Sequence, residues 1–548
     1  MNITFSKAIV CSIAFFSVLT FQMFAAQDEI TSKCGTYTPE TISRFQAITQ
    51  GKTITADRPT LQTSHSSPTG KFLIHYDTTG INAVSLTDID KNGVPDWVDS
   101  TEIYLEYAYQ IEVSEMGFPP PPSDGNAGGT PQYDFYIQDL STFNTYGIYG
   151  ITFPESSVSG GSFPRYTSFI LLDNNFSKTD IRTNGKPVFN TYGYDALKVT
   201  TAHELHHAIQ MGVYGVPTQS LDASVNEMTS TWMEYRVHPD MVDYVFYLNP
   251  FFTQNGNYSF GRSDPDYGYR YAIVLEYFHS LYGDMFIKRI WEIIGTGATP
   301  YQAIENACIE RNTTLAEAWC KFMPWMYHTG KRAIQGKYFT KSSTFPELSI
   351  IRQGVYSPPS FTTTNSIRPY EIQFTQCRLP AEIASSTPDT VDFIITYPST
   401  TDIINHYDRP GDYTLTCSTE ALPYLIEGTR FKWNITSQNP EICQNHILTN
   451  GFSAATSEFV YPNPFHVDTD VSLYFPIPTN ANYNDKIILT IYTLEWQSIF
   501  SGEIPANIYQ NKRLVQWTPD IHLLPSGVYL YTLDIRDVTT LGKFTVIR

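Results

Sequence analysis

Positive charge is scarce in this sequence. Its 548 residues hold 35 Lys and Arg against 54 Asp and Glu, a formal net charge of −19. A nucleic-acid binder needs a basic footprint, so that class is excluded. An acidic, calcium-tolerant surface protein fits the balance better. Long apolar runs are also lacking. The best candidate, Ala8–Leu19, is too short and too broken by polar residues for a membrane helix. Cysteines number seven and none forms a CxxC pair, which argues against a cysteine-based zinc site. No period of about 20–50 residues recurs, so a repeat array is excluded.

What is present begins with length. At roughly 100–200 residues per domain, the chain has room for several domains. Hydrophobic residues make up 42%, enough for large cores. The many Tyr and Phe favour β-rich extracellular domains and a surface that faces peptide or carbohydrate. The N-terminus reads as a signal peptide over 1–26: Lys7, an apolar stretch, then Ala25 and Ala26 before Gln27. Six cysteines follow it, an even number in an exported chain, which suggests disulfides. Cys308 and Cys320 could pair, and Cys377, Cys417 and Cys443 share one β-rich region.

The periodicity divides the rest. Residues 27–65 are polar and rich in Thr and Ser, an N-terminal region or a pro-segment. Residues 66–340 read as α+β. KFLIHYD (Lys71–Asp77), YDFYIQD (Tyr133–Asp139) and SFILLD (Ser168–Asp173) are expected strands, and Ser100–Met116 an expected helix. Further helices are expected in Ala196–Met211, Val225–Val237, Tyr271–Leu281 and Met285–Ile294. From 345 to 450 short alternating strands dominate, and a last unit spans 457–548. The fold class is therefore multidomain α+β: strands followed by a mainly helical half, then β-rich regions.

Thr201–Gln210 reads TAHELHHAIQ and contains HExxH at His203, Glu204 and His207. On a helix, residues i and i+4 share a face, so both imidazoles can reach one metal. Glu204 can address a water whose pKa zinc lowers toward about 7. His206 is left facing away, in a structural role. A catalytic zinc site needs a third protein ligand, and Glu227, Glu234 and Asp222 are candidates. The extended HExxHxxGxxH pattern fails, because Gln210 and Val213 stand where Gly and His would be.

Asn226-Glu227-x-x-Ser230 resembles the NExxS segment of thermolysin-like gluzincins, at a similar spacing from the second His. The resemblance implies Glu227 as the third zinc ligand and Glu204 as general base. Thr231 stands where that family has an Asp supporting a ligand His, so such support must come from elsewhere. Tyr267–Gly283 is similar to the aminopeptidase-like gluzincin segment whose Tyr donates to the oxyanion. Tyr267 is the best match, with Tyr269, Tyr271 and His279 as alternatives. Helix packing by these aromatic residues is the plainer reading.

Thr87–Ser100 reads TDIDKNGVPDWVDS. Asp88, Asp90, Asn92, the Val94 carbonyl, Asp96 and Asp99 stand at the ligand offsets of a calcium loop, with Gly93 at the turn. Asp at the last position resembles dockerin-like loops, which implies structural Ca2+. The combination of Ile74–Gly80, Asp88–Asp99, His203–Gln210 and Glu227–Glu234 resembles a group of bacterial secreted gluzincin-like proteins. Over about half of the chain it implies a gluzincin-like catalytic domain and a secreted zinc metallopeptidase acting on a protein or peptide substrate.

FVYPNPF (Phe459–Phe465), then LPSGVYLY (Leu524–Tyr531) and Gly542-Lys543-Phe544, resemble the type IX secretion sorting domain, an Ig-like β-sandwich. This implies recognition by that export machinery and a secreted or outer-surface location. Two other functions stay open. A catalytically silent surface adhesin, binding glycan or protein, would use the same fold as a scaffold. A calcium-stabilised structural protein would hold no zinc. The intact Glu204 favours the peptidase, since a scaffold has no need of it.

Overall fold

The computed structural model describes residues 33–548, except 53–57, 144–146, 217–222, 356–359, 379–389, 399–408, 422–428, 439–441, 450–459, 461, 478–485, 506, 510–511 and 536–537. The signal segment and Asp222 lie outside the described residues.

Five strands form the first sheet: β1 (Thr63–Ser66), β2 (Phe72–Tyr76), β3 (Tyr133–Gln138), β4 (Gly150–Val158) and β5 (Arg165–Asp173). Their order is β1-β2-β3-β5-β4. The inner three are parallel, and the two outer strands pair antiparallel. The expected strands KFLIHYD, YDFYIQD and SFILLD are β2, β3 and β5. β3 and β5 are buried along nearly their whole length, as expected of parallel strands covered on both faces. β4 reads GITFPESSV, and its Gly, Pro and Ser residues hide it from propensity rules. Pro154 is tolerated because β4 is an edge strand, with a register shift at that residue.

Helices fill the rest of this region: α1 (Pro39–Thr49), α2 (Asp96–Tyr109), α3 (Gly193–Ile209), α4 (Ala223–Val237), α5 (Asp243–Thr253), α6 (Pro265–Tyr282), α7 (Asp284–Gly295), α8 (Pro300–Ile309) and α9 (Leu315–Tyr327). α2 carries the crossover between β2 and β3 and runs on as a π-turn to Glu115 before Pro119. α3 is buried from Ala196 to Ile209 on every side except at Lys198. A helix with no wet face must be covered all round. Here β4 and β5 lie on one side, with α2 and α4 on others. α4 and α6 cross closely at Gly268. A Cβ there would stand 2.3 Å from the Ser224 carbonyl oxygen and 2.5 Å from Glu227 Cβ. Glycine is what lets the two helices meet at that point. α6 starts sharply, with Pro265 at its first position and Asp264 capping the Asp266 N–H, and ends at Gly283 (φ 74°).

Beyond α9 the chain forms a four-stranded sheet in the order Cys443–Thr449, Thr390–Thr396, Ile372–Arg378, Ile350–Val355. A three-stranded sheet orders Thr429–Ser437, Gly411–Ala421, Ser360–Ile367. The core of the helical half continues into the first of these sheets. Trp319 and Phe322 of α9 share one apolar cluster with Tyr370, Ile372, Phe374 and Ile394. Trp319 Nε1 donates to Thr396 Oγ1 at 3.0 Å, and Tyr327 OH to Asp392 Oδ2 at 2.5 Å. The change of secondary structure near residue 345 is thus not a break in the core. Residues 460–547 carry a further five-stranded and a three-stranded sheet around a core of their own, including Phe475, Leu489, Ile491, Tyr531 and Phe544.

The expected Cys308–Cys320 pairing needs correction. Cys308, like Cys34, Cys377 and Cys417, stands outside any disulfide, whereas Cys320 is disulfide-bonded. Cys308 sits in the apolar core and behaves there as a small hydrophobe. Among the described residues no helix is long and apolar enough to cross a membrane.

Trp319 joins the helical and β-rich regions. Trp319→Ala is expected to cost about 3–5 kcal/mol in denaturant unfolding. A loss below about 1 kcal/mol would mean that the two regions do not share a core.

Candidate metal centre

α3 and α4 run side by side and turn three donors toward one point. His203 Nε2 lies 3.0 Å from Glu227 Oε2 and 3.1 Å from His207 Nε2, and His207 Nε2 lies 3.4 Å from Glu227 Oε2. The fourth member comes from outside both helices. Cys34 Sγ joins these three donors, all four within 4.8 Å of one another and all buried. Zinc–ligand bonds of about 2.0–2.3 Å put the donors of a tetrahedral site about 3.3–3.8 Å apart. The donor types fit zinc, and separations of 3.0–3.4 Å among the three lie at or just below that range, in a His203-Glu204-x-x-His207 plus Glu227 cluster of the helical region. Glu227 Oε1 is buried without a hydrogen-bond partner, as a carboxylate meant for a cation would be.

The electrostatics agree. Burial disfavours a charged imidazole, yet hydrogen bonds to Glu227 and Glu234 carry the His203 pKa up to about 10. Burial alone would raise Glu227, but His207 and His203 hold it down at about 2. Burial pushes the Cys34 thiol well up, and the carboxylates of Glu204 and Glu227 add to this. The cluster is built around positive charge.

Each ligand is oriented from behind. His203 Nδ1 hydrogen-bonds Glu234 Oε1 at 2.7 Å. Glu234 thus fills the supporting role that Thr231 cannot. His207 Nδ1 meets Gln210 Oε1 at 2.8 Å, and Gln210 Nε2 donates to the Asn226 carbonyl at 3.0 Å. Such contacts fix the ring tautomers so that both Nε2 atoms face the metal position. His206 turns the other way and hydrogen-bonds Glu112 Oε2 at 2.9 Å. Burial pushes Glu112 well up and His206 well down.

Glu204 lies under the edge strand. Its Oε2 accepts from Thr152 Oγ1 at 2.7 Å and from Thr36 Oγ1 at 3.2 Å. Gly150 makes room, since a Cβ there would stand 2.8 Å from Glu204 Cγ.

The tyrosines of α6 divide. Tyr269 is buried, its ring centroid is 6.2 Å from that of His203, and its hydroxyl accepts the Cys34 N–H at 3.0 Å. Tyr267, two residues earlier, stacks with Tyr271 and lies under the guanidinium groups of Arg262 and Arg270. Two steps of about 100° along a helix point the two side chains to nearly opposite sides. Tyr271 donates to the Ser259 carbonyl, and His279 pairs with Asp284 at 3.2 Å.

In the acidic loop, carboxylate oxygens of Asp88, Asp90 and Asp96 converge within 4.8 Å. Backbone N–H groups already serve them: Asn92 and Gly93 donate to Asp88, and Ile89 donates to Asp96. Val94 N donates to Asn92 Oδ1 at 2.7 Å, and Asn92 Nδ2 donates to Asp99 Oδ2 at 3.0 Å. Gly93 takes φ 90°, the turn the motif requires.

Sequence reasoning passed over Cys34, Lys33, Thr36, Thr152 and Asp243. Their partners lie more than fifty residues away along the chain, so no local spacing reveals them.

Residues 190–379 match a family of unknown function, DUF6055. This match takes in α3 to α9 and runs on into the four-stranded sheet. No curated protein and no solved structure matches the chain.

Ligand and supporting carboxylate separate by metal affinity. Glu227→Ala is expected to lose the metal. Glu234→Gln is expected to keep it with affinity reduced about 10–100-fold in a zinc-competition titration. Equal losses from the two would erase the distinction drawn here.

Proposed function

We propose that the chain is a secreted zinc peptidase of gluzincin type, held latent while Cys34 lies on its metal centre. The observation that carries this reading is the convergence of His203, His207 and Glu227 with Glu204 beside them. When bound, zinc supplies a Lewis acid that polarises water and the scissile carbonyl. Glu204 takes the proton from the attacking water on its carboxylate and delivers it to the leaving amine. Thr152 holds Glu204 in place for both transfers. A tyrosine hydroxyl of α6 donates to the developing oxyanion. Family spacing points to Tyr267, and the contacts of Tyr269 favour Tyr269.

A catalytic zinc site keeps one position open, whereas a fourth protein ligand closes it. Cys34 would be that fourth ligand, and Thr36 adds a contact to Glu204. The part of residues 27–65 that carries Cys34, ahead of β1, is then a pro-segment. The loop at Asp88–Asp99 is a structural Ca2+ site. The unit at 457–548 is an Ig-like sandwich read by the type IX export machinery, and its sequence motifs carry that reading.

Metal content and casein or peptide-library hydrolysis test the peptidase in the full-length chain. Wild type, Cys34→Ala and Cys34→Ala/Glu204→Gln are all expected to bind about one zinc. Cys34→Ala is expected to cleave faster than wild type. Adding Glu204→Gln is expected to lower its rate about 100-fold or more. Zinc-loaded Cys34→Ala that cleaves nothing would favour the silent surface scaffold instead.

For the loop, calcium at about 1 mM is expected to raise the Tm of wild type and not of Asp90→Ala. The same response in both proteins would remove Ca2+ from that site.

A further inference from the structure

Next to Cys34, the Lys33 side chain runs into a closed acidic pocket. Its Nζ lies 2.6 Å from Glu234 Oε2 and also bonds Asp243 Oδ2, with side-chain exposures of 2% for Lys33 and 1% for each carboxylate. Asp243 comes from the first turn of α5 and Glu234 from the last turns of α4. The second oxygen of Asp243 accepts from Thr191 Oγ1. The rings of Tyr149 and Tyr247 form the walls, with centroids 5.2 Å and 5.6 Å from Nζ. Carboxylates at the base and aromatic faces at the sides are what an alkyl chain ending in a cation requires.

The backbone that delivers Lys33 lies on the sheet edge as a bound peptide would. Tyr149 N–H donates to the Lys33 carbonyl at 2.8 Å, and Gly35 N–H donates to the Gly150 carbonyl at 2.9 Å. Strand addition at an exposed edge is a general mode of peptide recognition. The contact is a single parallel bridge between Cys34 and Gly150, so the segment is tied down by few backbone bonds. Glycine is needed at position 35, since a Cβ there would meet Ile151 Cδ1 at 2.6 Å. The residue after Lys33 reaches the metal donors, so a side chain seated in the pocket brings its neighbouring backbone to the metal.

Without Lys33, two buried carboxylates would face one cavity with no cation between them, an arrangement that strongly favours taking one up. We propose that the pocket of Glu234, Asp243, Thr191, Tyr149 and Tyr247 recognises a basic side chain of the peptide substrate, and that Lys33 is its tethered occupant in the full-length chain. The word substrate rests on the peptidase reading; the affinity of the pocket for an alkylammonium does not.

The test uses full-length Lys33→Ala and n-butylammonium, the free equivalent of the missing side chain. The variant is expected to melt below wild type. n-Butylammonium chloride is expected to restore most of the lost Tm, while n-butanol and matched NaCl do not. In Lys33→Ala/Asp243→Asn the amine response should vanish. If the alanine variant is not recovered in folded form, production in n-butylammonium chloride is expected to recover it, and recovery no better than in n-butanol or matched NaCl overturns the proposal. An amine effect no larger than that of n-butanol or NaCl overturns the proposal. A peptide library then reads the substrate: Lys33→Ala/Cys34→Ala should prefer Lys or Arg at one position by about tenfold or more. Cleavage with no basic preference also overturns the proposal. Amine rescue in a zinc-loaded protein that cleaves nothing keeps the pocket and defeats the peptidase reading instead.

Discussion

Charge taken out of water must be neutralised where it is buried, and this requirement organises the molecule. Glu204, Glu227, Glu234 and Asp243 are all buried within one region, together with Cys34, His203 and His207. Lys33 and His203 are cationic side chains among them that burial does not discharge. Burial pulls the Lys33 pKa down, but Asp243 and Glu234 more than offset this and hold the ammonium charged. A metal held by the four donors would supply further positive charge. Removing Lys33 would leave the buried carboxylates of Glu234 and Asp243 without their ammonium partner, at a cost of several kcal/mol.

The fold serves that arrangement. α3 can be wet on no side, because both of its metal-facing imidazoles need partners fixed behind them. Glu234 serves His203, and Gln210 serves His207. The close crossing at Gly268 sets α6 directly against Glu227. Gly150 lets Glu204 pass beneath the edge strand, where Thr152 holds it. Glu234 links the two charged sites, with one oxygen on His203 and the other on Lys33. The cluster of metal-ligating side chains and the acidic pocket are therefore a single electrostatic unit.

Much of this was legible in the sequence because it is local. Helical spacing brings His203 and His207 together, and periodicity finds β2, β3, β5 and the main helices. The resemblance of Asn226–Ser230 to an NExxS segment points to Glu227, which the structure sets against both histidines. What was not legible is long-range. β4 is hidden by Gly150, Pro154 and its serines, residues an edge strand tolerates. Cys34 and Lys33 lie in a polar stretch with no periodic signal, far ahead in sequence of His203 and His207, which Cys34 joins, and of Glu234 and Asp243, which Lys33 bonds. The tyrosines show the limit of spacing alone: Tyr267 and Tyr269 are neighbours in sequence but face opposite sides of α6. The cysteine count was even, yet four of the cysteines stand outside disulfides.

The most direct test of the four-donor centre is zinc K-edge X-ray absorption on the full-length protein. The account predicts one sulfur at about 2.3 Å, with nitrogen and oxygen ligands at about 2.0–2.2 Å. The sulfur should disappear in Cys34→Ala, leaving the remaining ligands in place. Zinc bound with no sulfur neighbour in the wild-type chain would contradict the closed centre, and a chain that retains no zinc would contradict the metal site altogether.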